Sequence, residues 1–259
     1  MRNNNTKAVV GANADIVFRE WKKVFCASIF FGVLTIGLSY GAYTGDLTTS
    51  EWPWKISLVL TIGCCVLASI ICIKFRRTDS LVAYGIVGAT GIFSLYLFFG
   101  IFGFFFFFIF SSMSSSVRWP GLAGGILLTL YWIYVARRNV QWTVENTRFV
   151  EQAFEQGECG VIRYNLQRGI RIFEKNFIEP SAFPKPLMCV VYAIAPLYLV
   201  LHKILGAFFG TNGILFVIAV LGLPMSLWLI GVLVRVYLIN VALPLRIERE
   251  RNMRVVVEA

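Results

Sequence analysis

Six stretches of this chain carry no Asp, Glu, Lys or Arg: residues 24–45, 56–73, 80–117, 119–136, 186–202 and 204–234. A hydrocarbon core of roughly 30 Å asks for about 20 apolar residues in helical form, so each stretch is read as a membrane crossing. The expected fold is an all-α, polytopic transmembrane helix bundle with six spans and a small cytoplasmic helical segment, with a five-helix or four-helix count as the alternative. Composition supports it: 58% hydrophobic and 15% charged residues, with mean hydropathy +0.72, leave too few polar groups to cover a water-soluble particle. The same figures exclude a disordered chain, a fibrous repeat and a disulfide scaffold.

Two stretches fit one span imperfectly. Residues 80–117 exceed the need and leave room for a tilt, a break at Gly100 or Gly103, or a re-entrant piece. Residues 186–202 reach full length only if Lys203 snorkels to the interface, and a turn at 210–213 then joins the fifth and sixth helices.

Charge sets the orientation. With both termini inside, 21 of the 24 Lys and Arg residues fall on cytoplasmic segments, leaving Lys55, Arg118 and Lys203 outside. The net charge of +10 is thereby explained by sidedness, and no nucleic-acid partner is expected. Trp21, Trp52, Trp54 and Trp119 stand at the span ends as interfacial anchors. A signal peptide is the competing reading of residues 1–43, but its apolar run is too long and Asp15 and Glu20 precede it. Short outer loops and this charge bias fit a bacterial inner membrane. The chain divides into a cytoplasmic amphipathic segment (1–23), four spans (24–136), a cytoplasmic helical segment (137–186), a two-span hairpin (187–239) and a cytoplasmic tail (240–259).

About 50 residues are few for an independent core, so 137–186 is expected to pack on the membrane face or on a partner. Helix four should continue through Arg137, Arg138 and Trp142 to about Gln156 and stop at Gly157. A second helix over 161–178 would carry Ile162, Leu166, Ile170, Phe173 and Phe177 as one apolar stripe. Arg163, Arg168, Arg171 and Lys175 would form its opposite face, suited to an anionic inner leaflet or a protein partner. The tail from Arg235 reads as a solvated helix after Pro244 with a frayed end.

Catalytic machinery is not expected, nor is a cofactor or metal site. His202 is the single histidine, which removes every His-pair metal motif. Phosphate-loop and nucleophile-elbow signatures are missing from the sequence. The six stretches hold no ionisable Asp, Glu, Lys or Arg, which argues against coupled transport but leaves a channel open. Cys26, Cys64, Cys65, Cys72, Cys159 and Cys189 fall in spans or inside, and adjacent Cys64 and Cys65 read as apolar filler.

Two features bear on assembly. Gly37, Gly41 and Gly45, then Gly85, Gly88 and Gly91, then Gly121 and Gly125 recur at three- or four-residue spacing and mark expected helix-packing faces. Phe104, Phe105, Phe106, Phe107 and Phe108 form the most unusual segment, either bulky packing or a hydrophobic gate in an oligomer; the serines of 111–116 cap it. Pro196 and Pro224 offer kinks. The leading expectation is a non-catalytic membrane-embedded subunit or docking component of a larger complex. The alternative is a homo-oligomeric channel or permeability effector, and an uncoupled carrier stands third.

Overall fold

The computed structural model describes residues 16–76, 78–157, 160–175, 189, 192, 193 and 195–258. Five helical stretches are long and apolar enough to cross a membrane: Ile16–Asp46, Trp52–Phe75, Leu81–Phe110, Ser115–Asn146 and Thr211–Arg251. The chain is an all-α, multi-pass membrane protein. The expected count of six is corrected to five among the described residues. Residues 186–188, 190, 191 and 194 of the fifth stretch lie outside them, as do Arg2, Lys7, Asp15, Arg77, Cys159, Phe177 and Lys185.

The first stretch comprises α1 (Ile16–Ser39) and a π-helical end, Tyr40–Asp46. Next come α2 (Trp52–Phe75) and α3 (Leu81–Tyr96). Ser80 caps α3, its hydroxyl accepting from the Ala83 amide at 3.5 Å. The long stretch 80–117 holds neither a break nor a re-entrant piece: α3 runs on as a π-helix over Leu97–Phe106 and closes with Phe107–Phe110. Gly100 serves contact rather than bending, because a Cβ there would stand 2.8 Å from the Ser226 hydroxyl of the last span. Then follow α4 (Ser115–Asn146), α5 (Phe149–Ala153), β1 (Phe154–Gln156), β2 (Val161–Asn165) and α6 (Leu166–Lys175). After a 3-10 turn, Ala195–Leu197, α7 (Tyr198–Phe209) has 12 residues, about 18 Å and short of a full crossing. Gly210, at φ +56°, reverses the chain into α8 (Thr211–Tyr237). A π-helical stretch (Leu238–Ala242), α9 (Leu243–Arg251) and β3 (Arg254–Glu258) end the chain.

The first three spans meet along small polar side chains. Ser28, Gly32, Thr35 and Ser39 are the buried face of α1; Ser57, Thr61, Cys64, Ala68 and Cys72 are that of α2. A Cβ at Gly32 would lie 2.2 Å from the Thr61 methyl, so the two backbones approach as closely as glycine permits. Several of these hydroxyls are satisfied within or between helices, whereas those of Ser39 and Thr61 are buried without a partner. Thr35 donates to the Phe31 carbonyl at 2.7 Å, Ser57 to the Pro53 carbonyl at 2.8 Å, and Ser28 and Ser94 bond each other at 2.7 Å.

Away from the basic loops, the π-helical part of α3 fills the bundle with aromatic rings. Phe102, Phe104, Phe106, Phe107 and Phe108 are all buried, around Tyr43, Leu215 and Ala219. Two of the outlying basic residues find partners locally at this end. Lys55 donates to Glu51 at 2.6 Å and holds that exposed carboxyl below its usual range. Arg118 donates to the Phe108 and Ile109 carbonyls that end the third span.

At the basic end, the segment expected to be helical forms an αβ unit instead. β1 pairs antiparallel with β2, and β2 pairs parallel with β3. Residues 161–165 form a strand because burial alternates, with Ile162 and Tyr164 inward and Arg163 outward, a period of two that outweighs the helical spacing from Ile162 to Leu166. Helix four likewise ends at Asn146 rather than near Gln156, and 154–156 is strand. The tail does form a helix over Leu243–Arg251, but its end is not frayed: Val255, Val256 and Val257 are buried. The Val257 amide donates to the Asp79 carbonyl at 2.7 Å, tying the tail to the loop before α3. The core of this unit is continuous with the bundle through Ile16, Leu81, Val140 and Ile239.

Candidate functional site: a cleft at the basic end

A cleft of about 370 Å³ opens where α1, α3, the end of α8 and the αβ unit meet. Its size falls within the range of small-molecule sites. Local sequence explains why space remains there. On α3, Gly85 lets the π-helical stretch approach so closely that a Cβ would stand 2.7 Å from the Asn240 carbonyl oxygen, and Gly91 accepts Val24 at 2.9 Å. Between them a Cβ on Gly88 would meet nothing within 4 Å, and that gap is part of the cleft. Glycine at all three positions thus gives contact, void, contact along one helix.

The cleft is chemically two-ended. Glu20, Lys23, Tyr84, Tyr164 and Asn240 line one end, and Val24, Ala27, Gly88, Ile92 and Leu95 line the other. From Tyr84 to Leu95 at 1.5 Å per residue, the wall reaches about 16 Å along α3 toward the membrane interior. A second space of about 80 Å³ shares Tyr164, Ile170, Val236 and Asn240 with the first and reaches Arg235.

Arg235 sits half-buried with its guanidinium 5.8 Å from the Phe173 ring centroid. Among the described residues no carboxylate lies within 4 Å of it. Lys23 pairs with Glu20 at 3.4 Å, and its side chain is otherwise exposed. Tyr164 is positioned by Gly169, whose missing Cβ would stand 2.4 Å from the phenol oxygen. Burial pushes the Tyr164 phenol up to about 12, with Tyr84 raising it further and Arg235 pulling it down, so it is a neutral hydrogen-bond donor near pH 7. Because the folded value exceeds the ordinary 10, this group's contribution to stability is complete below pH 10 and is lost as pH rises through about 12. Alkaline difference spectra of the wild type against Tyr164→Phe should therefore show a phenol ionising near pH 12. An ordinary transition near pH 10 would refute the burial argument.

The residues expected from sequence to carry function are dispersed. Gly37, Gly41 and Gly45 are exposed, and the first two have nothing within 4 Å of a built Cβ. A Cβ at Gly85 would meet Asn240 and one at Gly91 would meet Val24 of this same chain. Gly121 and Gly125 receive the Phe108 and Phe104 rings. Of the Phe104–Phe108 run, only Phe105 is partly exposed; the other rings fill the chain's own interior. Arg163 faces Glu258 at 3.8 Å, and Arg168 is bonded to Glu155. Arg171 and Lys175 remain exposed on α6. Among the described residues no three His, Cys, Asp or Glu side chains gather as metal ligands.

The cleft residues Tyr84, Tyr164, Arg235 and Asn240 were not singled out by sequence. They come from three separate segments, Arg235 and Asn240 sharing the last helical stretch, and Tyr164 joins them through the β2–β3 pairing. The one available signal was Arg235 immediately following the last charge-free apolar run, 204–234. No protein-family model, curated protein or solved structure matches the chain.

Proposed function

We propose that the chain is a non-catalytic, membrane-embedded docking component of a larger complex, set in a cell inner membrane with its basic end facing the cytoplasm. One observation carries the reading: the peripheral position of α4. Only 11% of its most apolar window is buried within this chain, against 56% for the third span. Leu127, Leu130, Tyr131 and Tyr134 are all more than half exposed on it. Past the apolar run the helix continues ten residues, about 15 Å, and presents Trp142 at 40% exposure beside Arg138. A rigid arm with an exposed aromatic anchor flanked by arginine is the composition that protein interfaces favour. Beneath the arm, α5 and the αβ unit fix its direction through buried Phe149. The concentration of basic residues at this end supports the orientation.

The test is the native mass of protein extracted from its own membrane in mild detergent, with co-purifying chains identified. A stoichiometric second protein is expected, lost in Leu130→Ala/Trp142→Ala while the thermal midpoint of the bundle holds. A particle made of this chain alone, with or without the substitutions, overturns the proposal. Deleting 137–185 is a poorer probe, since it removes β1 and β2 and strands β3.

A further inference from the structure

The cleft at the basic end has a shape and charge that the docking role does not use. It is polar at the level of the loops, where the adjoining space adds Arg235, apolar for about 16 Å beyond, and open along its side rather than enclosed. We infer that it holds one phospholipid of the adjoining leaflet, with the anionic headgroup at Arg235 and one acyl chain lying along α3 over Gly88. The inference does not rest on the docking proposal.

Charge complementarity selects this occupant. Arg235 ends the apolar run of α8, where a headgroup phosphate sits, and a guanidinium's planar fork suits phosphate oxygens. Glu174 acts on Arg235 only from beyond 4 Å, so among the described residues this half-buried cation has no direct carboxylate partner and gains from an anion that approaches it. The guanidinium lies 5.8 Å from the Phe173 ring centroid and lines the space it shares with Tyr164 and Asn240. The Tyr164 phenol and Asn240 amide supply neutral donors for the remaining headgroup oxygens. Glu20 also lines the space, but Lys23 neutralises it at 3.4 Å. An acidic peptide would satisfy Arg235 equally well, yet it would place backbone amides against Val24, Ile92 and Leu95, where nothing polar is offered; a hydrocarbon chain needs nothing there. Gly88 gives that chain its room.

The experiment uses the full chain, purified in detergent and then placed in phosphatidylcholine nanodiscs with rising fractions of phosphatidylglycerol, with bound lipid read by native mass spectrometry after release. The wild type should retain one phosphatidylglycerol per chain in preference to phosphatidylcholine. Arg235→Gln should weaken retention about tenfold, the worth of one charge-assisted contact. Gly88→Phe should abolish retention of either lipid by filling the acyl groove. Arg251→Gln, an exposed site with the same change of charge, should retain it as the wild type does. Should Arg235→Gln fail to fold, Gly88→Phe decides alone, since its side chain enters open space. Equal retention by the wild type and Gly88→Phe, or no preference for the anionic lipid, overturns the inference. Displacement by millimolar inorganic phosphate also overturns it, because a free anion site would then suffice.

Discussion

Gly125→Val should be among the most destabilising single substitutions in the membrane-embedded part of this protein. The built Cβ at Gly125 stands 2.1 Å from the edge of the Phe104 ring, and the one at Gly121 stands 2.0 Å from Phe108. Neither ring has anywhere to go. Phe104 and Phe108 are 4% and 6% exposed, their centroids are 4.8 Å apart, and Phe107 and Phe105 pack edge-on to them. In a close-packed interior, extra methyl groups cost about 1–3 kcal/mol each when neighbours can shift, and more where a ring must leave its rotamer. We expect a loss at the upper end of that range for Gly125→Val and a further loss for Gly121→Val in the same molecule. The two should be less than additive, because both act on one pair of rings. Gly37→Val and Gly41→Val are the controls: each has nothing within 4 Å of its Cβ, so their effect should stay within about 0.5 kcal/mol. Thermal or denaturant unfolding in one fixed detergent gives the comparison. Equal costs at Gly37 and Gly125 would show that the aromatic interior is not packed as described.

These glycines also show how far sequence reasoning reached. Spacing alone marked eight positions as alike, and physical context separates them into four kinds, with Gly88 facing the open space of the cleft. Gly37, Gly41 and Gly45 face outward, Gly85 and Gly91 seat a neighbouring segment, and Gly121 and Gly125 seat aromatic rings. The seam that joins α1 to α2 was carried instead by Ser28, Thr35, Ser57, Thr61 and Cys64, with Gly32 the one glycine in it. Their three- and four-residue spacing was present in the chain but hidden by hydropathy, because small polar residues score as neither core nor surface. The membrane class was legible because a bilayer imposes one length on every crossing. The αβ unit was not, because a strand of five residues pairs with another that lies 93 positions away, Val161 with Arg254, and no local period announces such a partner. The cleft inherits that difficulty, since Tyr164 reaches it only from the paired strand.

Val257→Asp tests the pairing directly, and its effect should be confined to the basic end. Val257 is 1% exposed, lies opposite Tyr164 in the parallel register, and donates its amide to the Asp79 carbonyl at 2.7 Å. A carboxylate there has no partner in the apolar cluster of Ile162, Phe154 and Val255, so it must be neutralised or the strand must leave. Either outcome costs on the order of 3 kcal/mol, against a unit that rests on three short strands and one amphipathic helix. β3 should detach, and β2 should lose half its hydrogen-bonded neighbours. Amides of 161–165 and 254–258 should then exchange with solvent faster by two orders of magnitude or so, the kinetic equivalent of that energy. The spans should not follow, because the seam of small polar residues and the aromatic interior make no use of the sheet. Arg254→Ala is the matched control: its ion pair with Asp79 is 3.8 Å long and half-exposed, so its removal should cost well under about 1 kcal/mol. If Val257→Asp left exchange in 161–165 unchanged, the tail would not be the third strand, and Tyr164 would have to be held in the cleft by Gly169 and Phe154 alone.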